Sequence, residues 1–174
     1  MSIAKIVLTL ALPILLPVVS EAGKQAISDG VSQKDIVQIA VGSKDHTTLV
    51  TALKAADYVD VLANPGPFTV FAPTNAAFDK LPKGTVEGLV KPEKKAVLRN
   101  ILEHHVAVGV FTENILNMMD GSELDQANGD KVKIAVKNGK LTVGGANVLA
   151  AIKASNGMVY VIDTVLLPPE KAKK

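Results

Sequence analysis

The chain has 174 residues, 48% of them hydrophobic and 21% charged, which is enough for one domain with a proper core and too apolar for a disordered segment. The formal net charge is only +2 and Arg99 is the single arginine, so the composition argues against a nucleic-acid reader built on arginine forks and stacked aromatics. There is no cysteine, which excludes disulfides, thiol catalysis, thiolate metal sites and an N-terminal lipoprotein anchor. Aromatics make up 3% with no tryptophan, so the core must be mostly Val, Leu, Ile and Ala.

The chain opens with a short basic start ending at Lys5. An apolar run from Ile6 to Val19 follows, interrupted by Thr9, Pro13 and Pro17, and then the small residues of Ser20-Glu21-Ala22. This pattern predicts a secretory signal peptide over residues 1–22. A membrane span needs about 20 apolar residues, more than this run supplies; the alternative is a buried N-terminal helix. Residues 23–31 read as a small polar leader, 32–169 as the folded domain and 170–174 as a basic tail. The expected location is extracytoplasmic, secreted or periplasmic.

Ser32 with Asp35 suggests a cap for a short helix through Val41. Asp45 or Thr47 would cap the next helix, where Leu49, Ala52, Leu53, Ala56, Val59 and Ala63 recur at helical spacing. Asn64-Pro65-Gly66-Pro67 is a hard stop. Phe68 to Phe71 then reads as a buried strand ended by Pro73, with Thr74 capping a helix over 75–81 that Pro82 stops. Three of the four phenylalanines, Phe68, Phe71 and Phe78, fall in these eleven residues. Thr85 caps another short helix, and Pro92 opens a longer one whose apolar face is Val97, Leu98, Ile101, Leu102 and His105. A strand over 106–110 and a short helix capped by Thr112 follow.

From Ser122 the pattern becomes β. Asn128-Gly129 and Asn138-Gly139 are hairpin signals. Between them Val132, Ile134 and Val136 alternate with Lys131, Lys133 and Lys137. Leu141 and Val143 lie on the next strand and Val148 to Ile152 on another. Asn156-Gly157 turns the chain into an apolar run from Met158 to Leu167, expected as a central strand ended by Pro168. Helices in the first half and strands in the second predict an α+β fold. The lone early strand at Phe68 must pair non-locally, most naturally with the run at Val159.

The residues offer little catalytic chemistry. There is no G-x-S-x-G elbow, phosphate loop or H-E-x-x-H pair, and no cofactor is expected. His46, His104 and His105 are the only histidines. His105, on the apolar helix face, reads first as a buried histidine bonded to backbone. His104 borders that face and is the surface-recognition candidate, against a merely solvated ring; adjacent helical residues point about 100° apart, so the pair is unsuited to chelating one ion. Asp120, Glu123, Asp125 and Asp130 crowd one region without the spacing of a calcium loop and read as turn and solvating carboxylates. Lys131, Lys133 and Lys137 share one strand face. They would suit an acidic glycan or an anionic surface, against a solvated face that blocks edge pairing. Asn75 and Asp163 read as side chains that cap or tie the two segments holding them.

Those two segments carry a resemblance. Gly66 to Phe78 resembles the first signature of fasciclin-like domains, and Ala154 to Pro168 resembles the second. The helix end Ile101 to Val106 looks like the family's central segment with its histidine. With the helix at 49–62, the likeness covers about residues 33 to 169. Phe68, Thr74, Asn75, Phe78, His105, Asn156, Gly157 and Asp163 fall within these stretches as structural signature positions. The resemblance implies a single α+β domain, a β wedge of two small packed sheets with helices along one side. It also implies a non-enzymatic extracellular binding or cell-adhesion role toward a matrix protein, a cell surface or a polysaccharide. Some relatives carry carotenoids, so a carrier of an apolar small molecule is the alternative, with an extracellular hydrolase behind it. Adhesive animal members have a Tyr-His pair near the central segment. Here that pair is His104-His105, so only the histidine carries over, and integrin-type recognition is not implied. Many members have histidine where this chain has Tyr160.

Overall fold

The computed structural model describes residues 34–169. The segments expected as signal peptide, leader and basic tail, and Ser32, lie outside the described residues.

The first half is helical: α1 (Ile36–Val41), α2 (Thr47–Ala55) and α3 (Val59–Ala63), then α4 (Asn75–Asp79), α5 (Thr85–Leu89) and α6 (Lys95–Glu103) after the first strand. A final short helix, α7 (Glu113–Met118), precedes the β half. The caps of α1, α2 and α5 differ from expectation. Asp35 itself caps α1, accepting from Gln38 N at 2.7 Å while Gln38 Oε1 accepts from Asp35 N, a reciprocal box that needs no Ser32. Neither Asp45 nor Thr47 caps α2. Ser43 opens a 3₁₀ turn that leads into it, and the Asn75 carboxamide, 27 residues downstream, accepts from Thr48 N at 3.0 Å. Gly84, at φ 83°, precedes α5 in place of a Thr85 cap. Thr74 and Thr112 cap α4 and α7 as expected.

Seven strands form one continuous order, β2-β1-β7-β6-β5-β4-β3. They are β1 (Phe68–Pro73), β2 (Val106–Val108), β3 (Glu123–Asp125), β4 (Lys131–Lys137), β5 (Lys140–Val143), β6 (Ala146–Ala154) and β7 (Gly157–Ile162). β5 and β6 share only the pairs Thr142↔Asn147 and Val143↔Ala146, next to their Gly144-Gly145 turn. The sheet therefore folds there into two halves, the wedge that the resemblance implied. At the other end Ala127 N donates to Val106 O at 2.7 Å, so the terminal strands approach each other and the sheet nearly closes. Asn138, at φ 51°, and Gly139, at φ 73°, make the tight β4–β5 turn.

The expected pairing at the centre is present. β1 runs parallel to β7, from Phe68↔Gly157 to Pro73↔Ile162, and antiparallel to β2. Both faces of β7 are covered. Val159 joins the helix-side core with Leu49, Leu53, Leu62, Val70 and Leu102, whereas Met158, Tyr160 and Ile162 join a second core with Phe71, Ile134 and Val143 inside the wedge.

The expected helix through Leu49 and Ala63 is split into α2 and α3, α4 ends at Asp79, and three strand boundaries are corrected. β7 ends at Ile162 rather than running to Leu167, because the Asp163 carboxylate accepts from Asn147 N at 2.9 Å and Asn147 Nδ2 at 2.8 Å and turns the chain out of the sheet. Residues 163–169 continue as an irregular strap with Val165 and Leu166 buried. β6 is longer than predicted and carries a bulge between Val148 and Ala150. β2 stops at Val108, where the Thr69 hydroxyl donates to Gly109 O at 2.8 Å and accepts from Phe111 N at 3.0 Å.

Candidate functional site

β4 sends Val132 and Ile134 inward and Lys131, Lys133 and Lys137 outward, as the period of two requires. The lysine face is less basic than it reads in sequence. β3 lays Asp125 opposite Lys131 and Glu123 opposite Lys133, and Lys131 Nζ sits 3.8 Å from Asp125 Oδ1 and 3.9 Å from Glu123 Oε2. These are exposed pairs that neutralise charge and stabilise little. Lys137 lies at the far end of β4, opposite Lys140.

His104 is not a surface residue: it is 3% exposed, a correction to its reading as the exposed ring. As the residue that ends α6 it turns under the loop between β3 and β4. There its Nδ1 lies 3.4 Å from Asn128 Oδ1 and 3.8 Å from Asp130 Oδ2. Asn128 was legible only as a hairpin residue. Folded, it is the hub of this corner, its amide donating to Asp130 Oδ2 at 2.7 Å and to Asn100.

His104 still reaches a surface. Together with Lys131 and Lys133 it lines a depression of about 350 Å³ whose other wall is the strap, through Val165, Leu166, Leu167 and Pro169. Three of the four recognition candidates thus converge, and Lys137 does not. Leu167 is 54% exposed at the rim. The strap wall had no signal in the sequence, because its apolar run looked like strand. A larger depression of about 590 Å³ lies at Asp35, Pro65, Pro67, Lys153 and the signature residues Asn156 and Gly157, and holds none of the four recognition candidates.

His105 is buried, as expected, and its tautomer follows from its bonds. Nδ1–H donates to Ile101 O at 2.7 Å, leaving Nε2 to accept from Leu166 N at 2.9 Å. Burial lowers its pKa to about 4, against the raising effect of the Ile101 bond and aided by neighbouring His104. His46 is also buried, bonded to Ser43 Oγ at 2.8 Å, and burial again pulls its pKa down. Tyr160 stacks on Phe71 with centroids 5.9 Å apart and donates to Phe111 O at 2.8 Å; burial pushes its pKa up to about 12.

Asn75 and Asp163 are ties, but to different neighbours. Asn75 holds α2 and Lys44 O, whereas Asp163 holds Asn147 and receives Lys80, whose Nζ donates to Asp163 O at 2.7 Å. Asn156 is another tie of the second signature segment, its side chain bonding Ile36 N, Leu62 O and Asn64 O. Gly157 lets β1 approach: a Cβ there would lie 1.8 Å from Phe68 O. Among the described residues no three His, Asp or Glu side chains gather to hold a metal ion, and the Asp120 carboxylate instead accepts from Val136 N. The two clefts between helices and sheet each hold about 20 Å³, filled by Leu49, Phe78, Leu102 and their neighbours. Among the described residues no helix is long and apolar enough to cross a membrane.

Comparison with known proteins agrees with this geometry. The family model of the fasciclin domain matches residues 44–168. Protein sll1483 of Synechocystis sp. is 47% identical over 146 residues, covering 83% of this chain and 78% of that protein. The cell surface glycolipoprotein MPB83 of Mycobacterium bovis is 34% identical over 145 residues, covering 80% of this chain and 63% of its own. A FAS1 domain pair from the insect cell adhesion molecule fasciclin I superposes with a TM-score of 0.70 at 20% identity. That match covers 78% of this chain and 51% of the pair, a likeness of fold. The chain is a member of the fasciclin domain family.

Proposed function

We propose that this protein is a non-catalytic extracytoplasmic binding module of the adhesion type, and that it engages an extracellular protein or polysaccharide through the depression at His104, Lys131 and Lys133. The observation that carries the reading is the convergence of those three side chains with an apolar wall at Leu166 and Leu167. A partly exposed leucine beside lysines suits a ligand that combines an acidic substituent with an apolar body. Glu123 and Asp125 offset the charge, so bulk attraction to any polyanion is weak and shape carries more of the selectivity. Relatives named for the cell surface and for cell adhesion support the location and the class of role.

A carrier role is disfavoured by the helix-side clefts. A small-molecule site usually offers about 300–1,000 Å³, far above the roughly 20 Å³ found in each.

The test is a binding screen of the purified protein against immobilised glycans and matrix proteins. The expected result is saturable binding that falls at least tenfold in a Lys131→Glu/Lys133→Glu variant and is unchanged in Lys137→Glu. Equal losses in both variants, or no binding to any surface, contradict the reading.

A further inference from the structure

His105 ties the distal part of the strap to α6, whereas Asp163 at its start is held by Asn147 and by Lys80 at the end of α4. Between Val165 and Pro169, the Leu166 N–H into Nε2 is the only hydrogen bond made among the described residues. From Val165 on, the strap is otherwise held by apolar burial, with Val165 in the helix-side cleft and Leu166 against Gly144, where an added Cβ would lie 2.8 Å from Leu166 Cδ2.

The bond can exist in only one protonation state. With Nδ1–H committed to Ile101 O, the Nε2 lone pair receives the Leu166 N–H. A proton from solvent on Nε2 turns acceptor into donor and sets two N–H groups against each other. Among the described residues no acidic group is positioned to give the imidazolium a counter-charge. The two clefts that His105 borders are lined by Ile101 and Leu102 of α6, Leu49 of α2, Val70 to Ala72 of β1, Phe78 of α4 and Val165 of the strap, with no acidic side chain among their linings. The titratable neighbour is His104, which would add like charge and is itself turned toward Asn128 and Asp130.

We propose that His105 is an acid-operated latch: protonation at Nε2 expels the Leu166 N–H, releases the strap from Val165 onward from α6 and removes one wall of the depression at His104 and Lys133. β1 and β6 hold β7 from both sides without the strap, so release is a local opening rather than loss of the fold. Burial holds the ring neutral down to about pH 4, so the latch stays shut at neutral pH. The consequence for binding rests on the proposed function above; the release itself does not.

The experiment is an NMR titration of the intact protein from pH 7.5 to 3, following the His105 ring nitrogens and the exchange protection of backbone amides. The expected result is a His105 midpoint near pH 4, with Leu166 protection falling at least tenfold at that same midpoint while Val159 and Tyr160 stay protected. A His105→Gln variant, which keeps an acceptor but cannot titrate, should hold Leu166 protected at pH 3.5; if it does not fold, the wild-type titration decides alone. Leu166 protection that survives His105 titration overturns the proposal, as does protection lost only together with Val159 and Tyr160. Strap release in a protein that binds no surface would uphold the latch and refute the binding reading.

Discussion

Asn156 allows a direct test of how the two ends of the domain are joined. Its side chain makes three bonds: Oδ1 accepts from Ile36 N at 3.0 Å, and Nδ2 donates to Leu62 O at 2.8 Å and Asn64 O at 2.9 Å. It therefore ties the β6–β7 turn to the start of α1 and the end of α3. Ile36 and Leu62 are 2% and 1% exposed, so truncation leaves a donor and an acceptor in a dry environment. Two buried orphans at about 1–2 kcal/mol each, plus a smaller loss at Asn64, give about 3 kcal/mol for Asn156→Ala. With a urea slope of about 1–3 kcal/mol per molar, the unfolding midpoint should fall by about 1–3 M, read by circular dichroism. Asn156→Asp sharpens the test. It keeps the acceptor for Ile36 but points lone pairs at two carbonyl oxygens, so it should be no more stable than the alanine variant at neutral pH. A midpoint within about 0.5 M of wild type for Asn156→Ala, or near-complete rescue by Asp, would refute the bonding scheme.

Gly157→Ala drives a Cβ into Phe68 O and should open the β1–β7 pair, costing about 4 kcal/mol or more; a melting temperature within a few degrees of wild type would contradict the close approach. Tyr160→Phe removes the bond to Phe111 O and should cost about 1–2 kcal/mol in urea unfolding. Ultraviolet titration of the wild type should show one phenol ionising near pH 12 rather than about 10. His105 has a folded pKa below its unfolded value, so between about pH 6.5 and 4 the unfolded chain binds more protons. Its contribution to stability is complete above that window and is lost as pH falls through it, by up to about 3 kcal/mol. Denaturation midpoints at pH 7, 5.5 and 4 should decline accordingly and flatten in His105→Gln.

What was legible in the sequence was local or strongly patterned. Phe68 to Phe71, bracketed by Pro67 and Pro73, could only be a strand, and a lone strand in a helical half had to find the apolar run at Val159. The period of two placed Lys131 and Lys133 on one face. What was hidden depended on distant partners. The end of β7 is set by Asp163 meeting Asn147, and nothing in the composition of Met158 to Leu167 marks it. The cap of α2 comes from Asn75. His104 is buried by Asn128 and Asp130, 24 and 26 positions away, so its helical phase alone placed it wrongly. The charge of the lysine face depends on the β3–β4 register, which puts acids opposite two of the three lysines. The depression became visible only with the strap as its second wall.

The most direct measurement of the central claim is surface plasmon resonance of the protein on the glycan or matrix surface selected by the screen, comparing wild type, Lys133→Glu and Lys137→Glu at neutral pH. The account predicts that Lys133→Glu loses at least tenfold in affinity while Lys137→Glu, away from the depression, binds as wild type. Undiminished binding by Lys133→Glu would contradict it.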